Sequence, residues 1–171
     1  MLKIIIHDYA GHPFQFDLSK KLSQTFKIYH FYFKNDYGPK ANFSNLNFDN
    51  LNVEGLGENI IYKKSNFVDR FFKDIKYGKI VSNKINEIKP DIIISGNCPT
   101  LSQNIIINSA KRNNSKFIFW IQDFYSEAVE ILLKKKISIL AFPIYSLFKF
   151  LEKKQLKFSD KLIIISDDFK N

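Results

Sequence analysis

Short apolar segments that alternate with helical patterns constrain the fold of this chain most strongly. Strands are predicted at residues 2–6, 27–33, 48–54, 91–95, 116–121 and 161–165. Helices are predicted at residues 14–25, 66–88, 101–112, 124–133 and 137–158. Strands that are apolar along their length lie in parallel sheets covered by helices on both faces. We therefore predict an α/β fold: a doubly wound, Rossmann-like parallel sheet in three α/β/α layers, with strand order 3-2-1-4-5-6.

The length of 171 residues fits one domain, and no internal repeat or linker is visible. Residues 166–171 follow the last predicted strand and have the composition of a helix cap and first turn. A domain seldom ends where a helix begins, so we expect residues 1–171 to be a fragment of a longer protein.

Positive charge is concentrated near the end of the chain. The net charge is +9, and residues 134–161 contain eight lysines and two carboxylates, a local excess of +6. Such a segment favours an anionic partner, which could be a membrane surface, a nucleic acid or a phosphorylated substrate. The longest uncharged apolar run, residues 137–148, has 12 residues, whereas a membrane-spanning helix needs about 20.

The helical periodicity of residues 143–158 separates two faces. The apolar face is predicted to contain Ile144, Leu147, Phe148, Leu151 and Phe158. The opposite face is predicted to contain Lys149, Lys153 and Lys157, flanked by Phe150 and Leu156. Lysines beside exposed apolar side chains suit a membrane interface, although a solvated helix face would explain the lysines equally well.

Polar loops follow three of the predicted strands, and the carboxyl ends of parallel strands share one edge of the sheet, where α/β proteins bind ligands. The candidate residues are Gly11 and His12 after the first strand, Gly96 and Asn97 after the fourth, and Gln122, Asp123 and Glu127 after the fifth. In the predicted strand order, the first and fourth strands flank the topological switch point. We therefore expect Gly11 and Gly96 to face one crevice.

Each candidate also has a structural interpretation. Gly11 could let a ligand approach the backbone or could simply allow a tight turn. His12 could contact a ligand or stabilise that turn. Asp123 could act as a base, bind sugar hydroxyls or cap the next helix. The single cysteine, Cys98, fits a small packing residue better than a nucleophile, because no basic neighbour in the sequence would lower its pKa.

Two common nucleotide-binding motifs are absent. The loop after the first strand contains one glycine and lacks both the G-x-G-x-x-G fingerprint and the P-loop pattern. This argues against NAD-dependent oxidoreductases and P-loop NTPases. The three histidines do not show metal-ligand spacing.

Four segments together resemble a known family. They are DYAGHPFQFDLSKKLSQ (8–24), PDIIISGNCPTLSQ (90–103), FIFWIQDFYSEAV (117–129) and LEKKQLKFSDKLIIISDDF (151–169). In this order they resemble the N-terminal half of GT-B glycosyltransferases, and most closely the retaining family-four enzymes of the colanic-acid and exopolysaccharide type. The resemblance covers essentially the whole chain.

The resemblance implies an acceptor-binding domain whose donor-binding C-terminal partner is absent here. Gly11 and His12 would approach the donor phosphates, while Gln122, Asp123 and Glu127 would line the reaction centre. Many relatives have histidine where this chain has Gln122, so Asp123 is the candidate catalytic residue. No metal ion or other cofactor is implied, since the nucleotide-sugar is a substrate.

The resemblance and the charge distribution together indicate the partners. We expect a nucleotide-sugar donor, a lipid-linked or polysaccharide acceptor, and an anionic membrane surface on the cytoplasmic side. Nucleic-acid binding is not expected, because arginine occurs only at Arg70 and Arg112. The alternative is a non-catalytic membrane adaptor that recruits a separate donor-binding chain.

Overall fold

A computed structural model describes residues 1–35, 40–43, 48–61, 67–96, 98–123 and 141–167. The strands are β1 (Lys3–Asp8), β2 (Lys27–Phe33), β3 (Leu51–Leu56), β4 (Ile92–Ser95), β5 (Lys116–Ile121) and β6 (Lys161–Ile164). The helices are α1 (Pro13–Ser23), α2 (Phe67–Ile88), α3 (Thr100–Arg112) and α4 (Ala141–Phe158). The helix predicted at 124–133 lies outside the described residues, as do residues 137–140 of the last predicted helix.

All six strands form one parallel sheet in the order β3-β2-β1-β4-β5-β6, so the predicted topology is confirmed. Ile5 of β1 is aligned with Tyr29 of β2 on one side and with Ile93 of β4 on the other. The chain reverses its direction of winding between β1 and β4. The carboxyl ends of these two strands therefore form the crevice in which doubly wound folds bind ligands.

Each face of the sheet carries its own hydrophobic cluster, because successive side chains of a strand point to opposite faces. Ile5 packs on the face covered by α2 and α3, with Tyr77 and Ile106. Ile4 packs on the face covered by α1, with Phe16. The central strands β1 and β4 are therefore buried on both faces, and their buried polar residues are His7, Asp8 and Ser95.

The buried face of α1 differs from the one that a simple apolar periodicity indicates. The spacing of Phe14, Leu18 and Leu22 at i, i+4 and i+8 predicts one buried stripe, yet Phe14 is 45% exposed. The buried positions include Gln15, Phe16 and Ser19. The Ser19 hydroxyl lies 2.7 Å from Nδ1 of His30 on β2, so a buried hydrogen bond compensates this polar face.

Helices α2 and α3 approach closely because small residues meet at their interface. A Cβ atom on Gly78 would lie 2.9 Å from the Cα atom of Ser102. The hydroxyl of Ser102 donates to the backbone carbonyl of Asp74 at 2.6 Å. The lack of a side chain on Gly78 therefore lets α3 approach α2.

Helix α4 packs against α3 through a face that includes polar residues. Phe148, Glu152 and Gln155 are buried there. The prediction was wrong for Leu147, which is 46% exposed, and for Leu156, which packs against the main core. The reason is that Glu152 and Gln155 occupy positions on the packed face, which rotates the helix relative to its apolar periodicity. Among the described helices, none is long and apolar enough to span a membrane.

Candidate functional site

A carboxylate and an imidazole meet where β1 leads into α1. Asp8, the last residue of β1, is 1% exposed, and its Oδ1 lies 3.0 Å from Nδ1 of His12. The backbone N–H of His12 also donates to Oδ2 of Asp8. Burial raises the pKa of Asp8, and the contacts with His12 act in the opposite direction. When Asp8 is ionised and the imidazole is neutral, Asp8 accepts a hydrogen bond from Nδ1–H, and Nε2 is left as the nitrogen of His12 that can accept a proton.

The turn that carries this pair requires glycine. Gly11 has φ of +78°, and its N–H donates to the carbonyl of Asp8 at 3.2 Å. Its carbonyl accepts the N–H of Ala41 at 2.7 Å. A Cβ atom on Gly11 would meet Lys40 at 3.4 Å and Phe43 at 3.6 Å. The tight-turn interpretation of Gly11 is therefore confirmed, and the chain's own segment 40–43 lies beside it.

The loops after β1 and β4 are adjacent, as the strand order predicts. The N–H of Gly96 donates to the carbonyl of His7 at 2.8 Å. A Cβ atom on Gly96 would lie 2.5 Å from Nε2 of Gln15, so the glycine makes room for this amide. Gln15 is fully buried, and within the described part of the chain neither polar atom of its amide has a hydrogen-bond partner.

Aromatic rings connect the first loop with the end of β5. The imidazole of His12 stacks on Phe14, with ring centroids 5.1 Å apart. Phe14 contacts Trp120 at a centroid distance of 5.5 Å. The indole N–H of Trp120 is buried and has no partner among the described residues. Phe14 is almost half exposed, so this aromatic row forms part of the surface of the site.

The predicted residues after β5 are described only in part. Gln122 is half-buried, and Asp123 is exposed at the carboxyl end of the strand, three residues after Trp120. Asn97 and Glu127 lie outside the described residues, and so does the helix that Asp123 was expected to cap. The role of Asp123 therefore stays a prediction.

A buried network of polar side chains connects the ends of β1 and β4 with α2 and α3. His7 is fully buried, with Nδ1 2.9 Å from the hydroxyl of Ser95 and Nε2 3.0 Å from that of Tyr77. The Ser95 hydroxyl donates to Oε1 of Gln103 at 3.0 Å, and the Cys98 thiol donates to the same oxygen at 2.8 Å. Cys98 is buried in the main hydrophobic cluster, which confirms its packing role, and this burial raises the pKa of its thiol well above the ordinary value.

Sequence reasoning missed four residues of this site: Asp8, Phe14, Gln15 and Trp120. Asp8 carried a usable signal, because it ends an apolar strand just as Asp123 follows one. The other three could not be identified, because their roles depend on contacts between α1, β4 and β5.

Comparisons with known proteins support the fold. No protein-family model matches the chain, and no curated protein matches it. A dTDP-glucose 4,6-dehydratase from Bacillus anthracis str. Ames, solved in complex with NAD, aligns with 70% of the chain at 16% identity and a TM-score of 0.50. A short-chain dehydrogenase/reductase from Veillonella parvula, in complex with NADP, aligns with 95% at 12% identity and a TM-score of 0.53.

MurG from Acinetobacter baumannii, a glycosyltransferase of the GT-B fold, aligns with 95% of the chain at 11% identity and a TM-score of 0.52. The chain spans 37% of the length of the dehydratase, 67% of the dehydrogenase and 40% of MurG. At these identities the likeness shows a Rossmann-like fold that is shared by oxidoreductases and glycosyltransferases.

Proposed function

We propose that this chain is the acceptor-binding half of a sugar transferase. The reaction moves a sugar from a nucleotide-sugar to a lipid-linked or growing polysaccharide acceptor. The sequence resemblance to retaining, family-four enzymes supports this proposal, and the fold shared with MurG is compatible with it. The observation that carries it is the pair of Asp8 and His12 at the carboxyl edge of the sheet, with aromatic rings beside it.

This arrangement suits the binding of a sugar hydroxyl. The Nε2 atom of His12 can accept a hydrogen bond from the hydroxyl, while Asp8 holds the ring by its Nδ1–H. The exposed edge of Phe14 offers an apolar surface to the C–H groups of a sugar ring. During transfer, the acceptor oxygen bonds to the anomeric carbon, the bond to the nucleoside diphosphate breaks, and the hydroxyl proton leaves. His12 and Asp123 are the two residues proposed to orient this hydroxyl or take its proton.

The loops disfavour the redox chemistry of the dehydrogenase-like neighbours. The first loop lacks the glycine pattern that lets a dinucleotide pyrophosphate approach the helix N-terminus. NAD-binding folds also place a carboxylate about 20 residues after this pattern, where it binds the ribose. Here the residue directly after β2 is Lys34 and not a carboxylate, and its ammonium group pairs with Glu58 at 2.6 Å. These two features favour a different ligand at this crevice.

Binding experiments on this chain distinguish the two ligand classes. The probes are a water-soluble prenyl-diphosphate-linked monosaccharide and NAD. We expect the sugar probe to shift the indole N–H resonance of Trp120 and to bind at least tenfold more weakly to Phe14→Ala. The matched control is Phe72→Ala, which removes an exposed phenylalanine on α2. Saturable binding of NAD without binding of the sugar probe would contradict the proposal.

Catalysis is proposed to need a second, donor-binding domain, because both reactants must be held together. The chain of 171 residues should then show no turnover by itself. When the donor-binding domain is present, Asp123→Asn should lower the transfer rate by about 10²-fold or more if the carboxylate assists proton transfer. His12→Gln should lower it by a similar factor. NMR of the product anomer tests retention, and thermal midpoints of both variants control for folding.

The adaptor alternative makes a different prediction. A non-catalytic adaptor would raise the activity of a separate donor-binding chain through association alone. His12→Gln and Asp123→Asn would then leave the transfer rate unchanged. A sugar transferase half would lose activity in both variants while still associating with its donor-binding partner.

A further inference from the structure

The outward face of α4 combines large apolar side chains with lysines. Phe142, Phe150 and Leu147 are 75%, 64% and 46% exposed. Lys149, Lys153 and Lys157 are exposed on the same helix. Residues that are 7 or 11 positions apart lie on the same side of a helix. Phe142 therefore shares a side with Lys149 and Lys153, and Phe150 shares one with Lys157, so aromatic and lysine side chains alternate along the outward face.

The opposite side of α4 is held by the rest of the domain. Phe148 packs with Leu101 of α3. The amide of Gln155 donates to the backbone carbonyl of Thr100 at 2.8 Å and is 1% exposed. Because these contacts occupy the inward side, the residues that point outward cannot all turn toward the core of the same domain.

The charge of this face has one sign. Glu152 is the only carboxylate within α4, and it is 9% exposed on the packed side. The outward side therefore offers ammonium groups and apolar rings without acidic residues. This combination complements a surface that has anionic groups above an apolar layer, which is the chemistry of an anionic lipid bilayer. Nucleic acid would complement the lysines but would leave the apolar side chains in water.

We propose that the outward face of α4 lies flat on an anionic lipid surface, with Phe142, Leu147 and Phe150 at the headgroup boundary and the lysines against lipid phosphates. This inference stands on the exposure and charge of α4 and does not depend on the proposed sugar transfer. The packed side of α4 contacts Thr100 and Leu101, the first two residues of α3, which begins after β4.

Vesicle flotation tests the electrostatic part of the inference. Vesicles of phosphatidylcholine alone are compared with vesicles that contain phosphatidylglycerol at about one third of the lipid. We expect binding to the anionic vesicles only, with a decrease at high salt. Each lysine near such a surface should contribute about fivefold to the partition coefficient, so the triple variant Lys149→Glu, Lys153→Glu and Lys157→Glu should bind at least about a hundredfold more weakly.

The apolar part has its own variant and a matched control. Phe142→Ala with Phe150→Ala should lower partitioning by at least about tenfold and should do so at high salt as well. The control is Phe72→Ala with Lys76→Glu and Lys79→Glu, because these residues form a similar exposed set on α2. This control should bind like the unaltered protein.

Phe150→Trp in a Trp120→Phe background places the single tryptophan of the chain on the outward face of α4, so its fluorescence reports insertion directly. We expect its fluorescence to shift to the blue and to be quenched by brominated lipid. Three results would overturn the inference: equal binding to neutral and anionic vesicles, no binding to either, or the same loss in the α2 control as in the α4 variants. The face would be assigned to nucleic acid instead if the protein bound RNA but no vesicles and if the triple lysine variant of α4 lost the RNA binding.

Discussion

Acidification should destabilise this protein through two buried histidines. Burial, with a smaller contribution from His30, lowers the pKa of His7 from 6.5 to about 3. Burial also lowers the pKa of His30 from 6.5 to about 4. The unfolded chain binds both protons near pH 6.5, whereas the folded chain does so only at much lower pH. Stability is therefore complete above pH 6.5 and is lost as the pH falls toward 4 and then 3.

The expected loss follows from the two pKa values. Between pH 7.5 and pH 5.5, each histidine becomes protonated in the unfolded chain but stays neutral in the folded chain. This difference lowers the free energy of unfolding by about 1.4 kcal/mol for each histidine. Together His7 and His30 should lower the free energy of unfolding by about 2.7 kcal/mol over this interval. Burial raises the pKa of Asp8, so protonation of its carboxyl offsets part of the loss at the acid end.

Urea unfolding followed by circular dichroism at pH 7.5, 6.5 and 5.5 measures this dependence. His7→Asn and His30→Asn should each remove about half of the pH dependence, and the double variant should remove nearly all of it. Both variants will also lose stability at pH 7.5, because His7 bonds to Ser95 and Tyr77 and His30 bonds to Ser19. The change with pH is therefore the readout. A double variant that keeps the pH dependence of the unaltered protein would refute the reasoning.

Three further predictions concern packing. Gly96→Ala should lower the free energy of unfolding by about 1–3 kcal/mol in urea, because its Cβ atom would meet the buried amide of Gln15; an unchanged midpoint would contradict the contact. Gly78→Ala gains helix propensity of about 1 kcal/mol but places Cβ against the backbone of Ser102, so a net loss of about 1–2 kcal/mol is expected, and a rise in thermal midpoint would contradict it. The Cys98 thiol should react with a disulfide reagent only as fast as the protein opens, and rapid labelling of the folded protein would show that it is accessible.

The strand pattern was the most predictable part of the protein. A strand that is buried on both faces favours apolar residues at successive positions, so β1, β4 and β5 are visible through the runs Ile4–Ile6, Ile92–Ile94 and Phe117–Ile121. The right-handed crossover rule then left one common strand order, which the structure shows. The adjacency of Gly96 to the first loop followed from that order.

Helix orientation was less predictable, because periodicity does not distinguish a satisfied polar residue from an exposed one. Apolar periodicity places Phe14 on the buried stripe of α1, yet the helix leaves Phe14 exposed and buries Gln15 and Ser19. In α4, buried Gln155 bonds to Thr100 and leaves Leu147 in solvent. A polar side chain can be buried when another element supplies its hydrogen bond, and that partner is distant in the sequence.

The fold class, the strand order and the edge of the sheet where polar loops gather follow from the apolar and polar pattern of the residues alone. Which side chains meet at that edge depends on how the helices and strands pack. Asp8 and His12 are neighbours in sequence, but Phe14 reaches Trp120 of β5, and Gln15 reaches Gly96 after β4. Local periodicity follows from burial of each segment alone, whereas these contacts depend on how segments about a hundred residues apart are packed together.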